Sequence, residues 1–241
     1  MLLCFGSFIM MPRRGGAMCE LDHRVMPAAF VSRGGIKLEN ALSASGLDVS
    51  GRHALDVGAS TGGFTDCLLR RGVVGVIAVD VGYGQLDWGL RNDPRVTVLE
   101  RTNARALTVG LLPYTPDLAS IDVSFISLAK VLPAVLGCMA ERYDVLAMIK
   151  PQFEVGRAIA SKGRGVVRDP DDRRAALVGV GEAALGLGAS VLGYYSSELT
   201  GPKGNKETFI WLAESGRAGR SSIGGQESSE DVERMARRVE P

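Results

Sequence analysis

The sequence predicts an α/β fold built on one mostly parallel sheet, and three observations carry that prediction. Six short β-branched runs alternate with helical stretches or connections between residues 53 and 195. A bare, glycine-rich turn, Gly58 to Gly63, joins the first run to the helix after it. The turn "ELTGPKGNKE" then separates the sixth run from a seventh, "ETFIWLA", and is too short to hold a crossover helix. Strands joined that tightly must be antiparallel, since a parallel connection needs about a dozen or more residues.

The elements follow in order. A helix is expected over 34–45, ahead of the first strand at 53–57. Strands are expected at 73–80, 96–99, 118–123, 145–150 and 190–195, because runs this short and this rich in Val and Ile fit buried strands better than helices. The intervening helices are expected at 63–71, 86–91, 128–139 and 171–187, the last opened by "DPDD", where acidic residues suit a helix N-terminus. Six alternating strands and then one reversed strand point to a seven-stranded sheet, for which the order usual in this fold, 3-2-1-4-5-7-6, is expected. That is the Rossmann-like pattern of class I S-adenosylmethionine-dependent methyltransferases, whereas an NAD-binding Rossmann sheet is parallel throughout. Residues 58–63 read "GASTGG", which lacks the second glycine of the GxGxxG that NAD binding uses.

With 241 residues, 46% of them hydrophobic and 23% charged, the chain can bury one sizeable core. One main domain is expected over 30–215, between an irregular segment at 1–29 and a flexible polar tail at 216–241 with at most one short helix in "EDVERMARRV". Lys and Arg number 28 against 27 Asp and Glu, so overall charge makes no case for a polyanionic partner and any basic surface must be local. The four cysteines (Cys4, Cys19, Cys67, Cys138) and two histidines (His23, His53) lack metal-ligand spacing, so no metal site is expected. Cys67 and Cys138 are expected as small core residues on helices, in keeping with a reducing cytoplasm. The opening residues lack the basic start and cleavage site of a secretory signal, and no run approaches the ~18–20 apolar residues of a membrane span. A cytoplasmic monomer without membrane contact is the expectation.

In the glycine turn, Gly58 suits the tight bend leaving the first strand, and Gly62 and Gly63 suit close approach of the helix start to a ligand. Asp80 closes the second strand, about 20 residues on, where a carboxylate can accept from both hydroxyls of an adenosyl ribose. Asp56 could hold the loop or the cationic end of the ligand. Asn103, after the third strand, stands where an adenine contact would, although a plain polar loop reads almost as well.

A second group forms by topology. Asp122 ends the fourth strand, Lys150 the fifth, and Glu207 begins the reversed strand, so all three reach one rim of the sheet. Lys37, on the helix before the first strand, could pack over that rim. This chemistry suits a hydroxyl acceptor: a ribose 2′-OH is a poor nucleophile until its proton leaves, while the sulfonium methyl of S-adenosylmethionine is already activated. Placement and a base are then what catalysis requires. Lys150 is the candidate base, with the carboxylates orienting the lysines.

The motifs "VSRGGIKL", "LDVGASTGGFTD", "DVGYGQL", "RNDPRVTVLERTNAR", "DVSFISL", "IKPQFEVG", "GVVRDP" and "GPKGNKETF" occur in that order. Through them the chain resembles the TlyA family of FtsJ/RrmJ-like ribosomal RNA 2′-O-methyltransferases. The resemblance implies a catalytic tetrad of Lys37, Asp122, Lys150 and Glu207. It implies S-adenosylmethionine as cofactor, held by Gly58, Ser60, Gly62, Gly63, Asp80 and Asn103 with Asp56, Phe64 and Asp122, and Phe125 lining the site. It implies 2′-O-methylation of cytidine in rRNA of assembled ribosomes or subunits. Members often carry a haemolysin label. An N6-adenine methyltransferase is disfavoured, because "DVSF" replaces its Pro-Pro-aromatic turn.

Family members carry an S4-type RNA-binding domain before "VSRGG", and the 29 residues here do not resemble one. A cofactor- or ribosome-binding remnant without turnover therefore stays open as an alternative. A membrane-lytic protein finds little support, since no span or strongly basic amphipathic helix is evident. For RNA, the loop "PQFEVGRAIASKGRGVVRDP" offers Arg157, Lys162, Arg164 and Arg168 against Glu154 and Asp169, a set that could position phosphates without reading sequence. Trp88 and Trp211 are expected in or against the core.

Overall fold

The computed structural model describes residues 29–217 and 228–241. In chain order the elements are α1 (Arg33–Ser45), β1 (His53–Val57), α2 (Gly63–Arg70), β2 (Gly75–Val79), α3 (Trp88–Arg91), β3 (Val96–Leu99), β4 (Leu118–Ile121), α4 (Leu132–Leu136), β5 (Asp144–Ile149), α5 (Pro151–Glu154), α6 (Arg157–Lys162), α7 (Pro170–Gly186), β6 (Ser190–Ser196), β7 (Thr208–Ala213) and α8 (Ser229–Val239). The strands form one sheet in the order β3-β2-β1-β4-β5-β7-β6. All neighbours pair in parallel except β7, which runs antiparallel to both β5 and β6. The expected order and the reversed last strand are both present.

The pleat divides the core in two. Leu55, Val57, Ile77, Ile121, Val145 and Ile149 face a layer made by α4, α7 and α8, while Ala54, Val76, Leu118, Leu146, Met148 and Phe209 face α1 and α2. Alternate residues of a strand point to opposite faces, so strands covered on both sides read as continuous apolar runs. Extending that alternation past the strand ends puts Asp122, Lys150 and Glu207 all on the α1 side, as it does Asp56 within β1. The sheet thereby gathers four ionisable residues beneath one helix.

Some elements differ from expectation. The helix expected over 128–139 is a single 3-10 turn, Leu128–Lys130, followed by the five-residue α4. Pro133 lacks the amide a continuous helix would use, and Gly137 caps the short remainder. The charged stretch after β5 contains α5 and α6, α5 carrying a proline in its first turn, where no amide partner is lost. Cys67 and Cys138 are buried free thiols; Cys67 lies on α2 and Cys138 just past α4. Trp88, expected in the core, is 78% exposed, because the one-turn α3 buries only Leu90. Trp211 is half-buried and donates to Asp144 at 2.6 Å.

The short helix allowed for in "EDVERMARRV" is present as α8, but from Ser228 onward the tail is packed on the domain rather than loose. Ser228 and Asp231 form a reciprocal capping box that starts α8, and Val232, Met235 and Ala236, spaced as one helical stripe, are buried against the α7 layer. Gly181 of α7 admits this contact, since a Cβ there would lie 2.6 Å from Val232. The irregular segment expected at 1–29 lies, apart from Ala29, outside the described residues, as do residues 218–227. Among the described residues no helix is long and apolar enough to cross a membrane.

Candidate active site

The turn after β1 is built around Gly58. Its φ is +85°, and a Cβ would sit 2.5 Å from the Asp122 carbonyl oxygen, so the turn and the end of β4 can touch only through glycine. The amides of Gly58 and Ala59 donate to Val79 O at 2.8 and 3.1 Å, tying the turn to β2. One residue on, Asp80 accepts from Ser60 N at 2.8 Å through Oδ2 and from Gly82 N at 2.6 Å through Oδ1. Each oxygen has a second lone pair left for a ligand hydroxyl.

Above this turn opens a cavity of about 540 Å³, within the usual range for small-molecule sites. Gly58, Ser60, Asp80, Asn103, Asp122 and Phe125 line it, so six of the expected positions meet there. Val81, Gln85, Thr102, Ser124 and Val131 also line it and fall outside the set expected from sequence. Asn103 uses its Oδ1 to cap a 3-10 turn by accepting from Arg105 N at 3.0 Å.

Four expected cofactor residues lie outside this lining. Phe64 is 3% exposed and packs on Phe209 with ring centroids 5.7 Å apart. At Gly62, with φ +97°, the space a Cβ would need is taken by Leu86 and Leu90. At Gly63 it is taken by Ser32 and by the amide of Gly35, 2.8 Å away. Both glycines therefore serve close packing within the chain itself. Asp56 is fully buried and accepts from Thr65 Oγ1 at 2.6 Å and Ser120 Oγ at 3.0 Å, which makes it a brace between β1, α2 and β4.

Burial pushes the Asp56 carboxyl up from its ordinary 3.8 to about 6, against the pull of the Thr65 and Ser120 hydroxyls and with a push from Asp122. Between about pH 4 and 6 the folded protein keeps a proton that the unfolded chain has released, so stability falls as pH rises through that window. At roughly 1.4 kcal/mol per unit, the loss is on the order of 2–3 kcal/mol. Asp56→Asn removes this slope. Urea unfolding from pH 4 to 7 is expected to show the wild type losing stability relative to the variant by that amount, and parallel curves would refute it.

The four residues expected as a tetrad form two ion pairs. Lys37 reaches down from α1 to pair with Glu207 at the start of β7; they are 6% and 3% exposed. On the same face of α1, Arg33 donates to Thr200 O at 2.6 Å and Asn40 to Ser197 O at 3.0 Å, so α1 grips the β6–β7 turn on both sides of Lys37. Lys150 pairs with Asp122 and also donates from Nζ to Ser124 Oγ at 2.9 Å. Ile149 lies opposite Thr208 in the β5–β7 ladder, so one more step of the register sets Lys150 beside Glu207. Of the tetrad, Asp122 alone lines the cavity, and it carries the Lys150 pair to the cavity's edge. At the lip stands Phe125, 91% exposed, with φ +64° and its ring 5.2 Å from that of Phe153. A left-handed phenylalanine costs on the order of 1–3 kcal/mol, which marks a held rather than a relaxed conformation.

Residues 30–214 match the family described as FtsJ-like methyltransferase. The chain is 54% identical over 184 residues to TlyA of Mycobacterium tuberculosis, named a 16S/23S rRNA (cytidine-2′-O)-methyltransferase; the match covers 76% of this chain and 68% of that protein. A solved structure of a haemolysin-labelled protein from Lactococcus lactis aligns with a TM-score of 0.76 at 42% identity, covering 85% of this chain and 97% of that one. An S-adenosylmethionine-dependent methyltransferase from Listeria monocytogenes aligns with a TM-score of 0.55 at 14% identity, covering 76% of this chain and 99% of that one, and shares the fold alone.

Proposed function

We propose that this chain, which belongs to the FtsJ-like methyltransferase family, methylates a ribose 2′-hydroxyl of ribosomal RNA, at cytidine, with S-adenosylmethionine as methyl donor. The name of the tuberculosis relative supports the substrate. The observation that carries the reading is the Lys150–Asp122 pair at the edge of the glycine-turn cavity.

The cavity fits the donor. Asp80 keeps lone pairs for two ribose hydroxyls, Gly58 leaves the turn bare, and Asn103 and Thr102 offer polar atoms for a base. When bound, the cofactor supplies a methyl carbon already activated by its sulfonium. What remains falls to the chain. As the 2′-oxygen forms its bond to carbon and the carbon–sulfur bond breaks, the hydroxyl proton passes to Nζ of Lys150 while that ammonium, aimed by Ser124, hands one of its own protons to the Asp122 carboxylate it is paired with. Lys37 and Glu207 fix the adjoining wall. The exposed Phe125 ring gives the target base a face to stack on.

RNA docking falls to the stretch after β5. Glu154 turns inward to accept from Leu128 N at 2.9 Å, and Asp169 caps α7 by accepting from Asp171 N at 3.0 Å. The side chains of Lys162, Arg164 and Arg168 are exposed, so the outward charge of this stretch is positive and suited to phosphates.

The test is transfer of labelled methyl from S-adenosylmethionine to purified ribosomes and subunits. Label is expected in rRNA, with a rate that falls as salt rises. Label confined to protein, or none in RNA, would overturn the reading.

A further inference from the structure

The basic stretch leaves α6 through a turn whose amides bond back to the helix, Arg164 N to Ser161 O at 3.0 Å and Gly165 N to Ala160 O at 2.8 Å. Arg164 and Gly165 are consecutive left-handed residues, with φ +55° and +84°, and beyond them the chain from Gly165 to Arg168 runs on without a helix or strand of its own. Two buried polar side chains grip it from opposite sides. Asn205, 2% exposed and two residues before Glu207, accepts from Val167 N at 2.9 Å and donates to Gly165 O at 2.7 Å. From the other side Arg173 of α7, 7% exposed, donates through Nη1 to Arg168 O at 2.6 Å and Val167 O at 3.4 Å. Its Nε and Nη2 form a fork with the carboxylate of Glu240, both bonds 2.8 Å. Glu240 follows α8, is 4% exposed, and accepts through its carbonyl from Arg174 Nη1 at 3.1 Å. The carboxylate that completes this brace lies beyond residue 214, where the family match ends.

We propose that Arg173, locked by Glu240, is a positioning residue for RNA: it clamps the Gly165–Arg168 backbone against Asn205 and thereby sets the exposed Arg164 and Arg168 at a fixed distance from the Glu207 wall. The inference rests on the reading of this stretch as an RNA contact. It gives α8 a function, since the helix carries the carboxylate that holds the guanidinium in register. Arg173 touches no substrate. Its effect passes through two carbonyls.

Two variants test it in the full chain, Glu240→Gln and the double change Arg173→Met with Glu240→Leu. An apolar pair of similar volume can replace a buried ion pair at little or no loss of stability, yet it cannot donate to Val167 O or Arg168 O. The double variant is therefore expected to melt close to the wild type. Both variants should raise KM for ribosomal particles about tenfold, with kcat and cofactor affinity within about twofold. The salt dependence of particle binding should flatten by about one unit of slope for each phosphate no longer neutralised, and the Val167 amide should exchange faster with deuterium. A double variant with wild-type KM, salt slope and exchange would overturn the proposal and leave the pair a prop for the fold. If the wild type itself transfers no methyl to particles, the RNA reading falls instead, while amide exchange at Val167 still decides whether the clamp exists.

Discussion

Lys150→Met is expected to lower kcat by about 10²- to 10⁴-fold, the usual worth of a positioned proton acceptor, with cofactor affinity unchanged. The side chain is only 11% exposed and is aimed by Ser124 and Asp122. Methionine keeps the apolar stem, so the end of β5 has no reason to move. Lys150 does not line the cavity, so the donor should bind as before, by equilibrium dialysis or calorimetry. Lost binding along with lost rate would place the lysine in the cofactor site and dissolve the division of labour argued above.

Glu207→Ala should be the most destabilising of the single substitutions considered. Its partner Lys37 is buried, and removing one member of a buried pair strands the other at a cost of about 3–5 kcal/mol. The Lys150–Asp122 pair is more open, with the Asp122 side chain 25% exposed, so Asp122→Ala should cost much less. Urea unfolding of the two variants side by side measures the difference. A Glu207→Ala protein within about 1 kcal/mol of wild type would show that solvent reaches Lys37, contrary to its packing under α1.

The sheet is legible in the sequence because its punctuation is. "GPKGNKE" is too short for a crossover, which dictates the reversal of β7, and strand-end charges in a parallel sheet must share a rim, which assembles Asp122, Lys150 and Glu207. That they sort into two pairs is not legible, since it depends on where α1 lies and on the pleat continuing past the strand ends. Glycine announces a close approach without naming what approaches. At Gly58 it is the backbone of β4 beside the cavity, but at Gly62 and Gly63 it is Leu86, Leu90 and the start of α1. Gln85, Thr102 and Ser124 sit in loops with no periodicity, so nothing but the fold could bring them to the cavity. Ser124 has one signal, its place two residues after Asp122. In the tail the helix of "EDVERMARRV" is legible but its docking is not, because the polar composition outweighs a capping box and a Val232, Met235, Ala236 stripe, both visible in "SSEDVERMARRV".

The central claim is that the methyl lands on a ribose oxygen rather than on a base, and alkaline hydrolysis of the labelled rRNA decides it. A methylated 2′-oxygen cannot attack the neighbouring phosphodiester, so label should be recovered in alkali-resistant dinucleotides beginning with cytidine. Label recovered in mononucleotides would mean base methylation, and the hydroxyl chemistry assigned to Lys150 and Asp122 would be wrong.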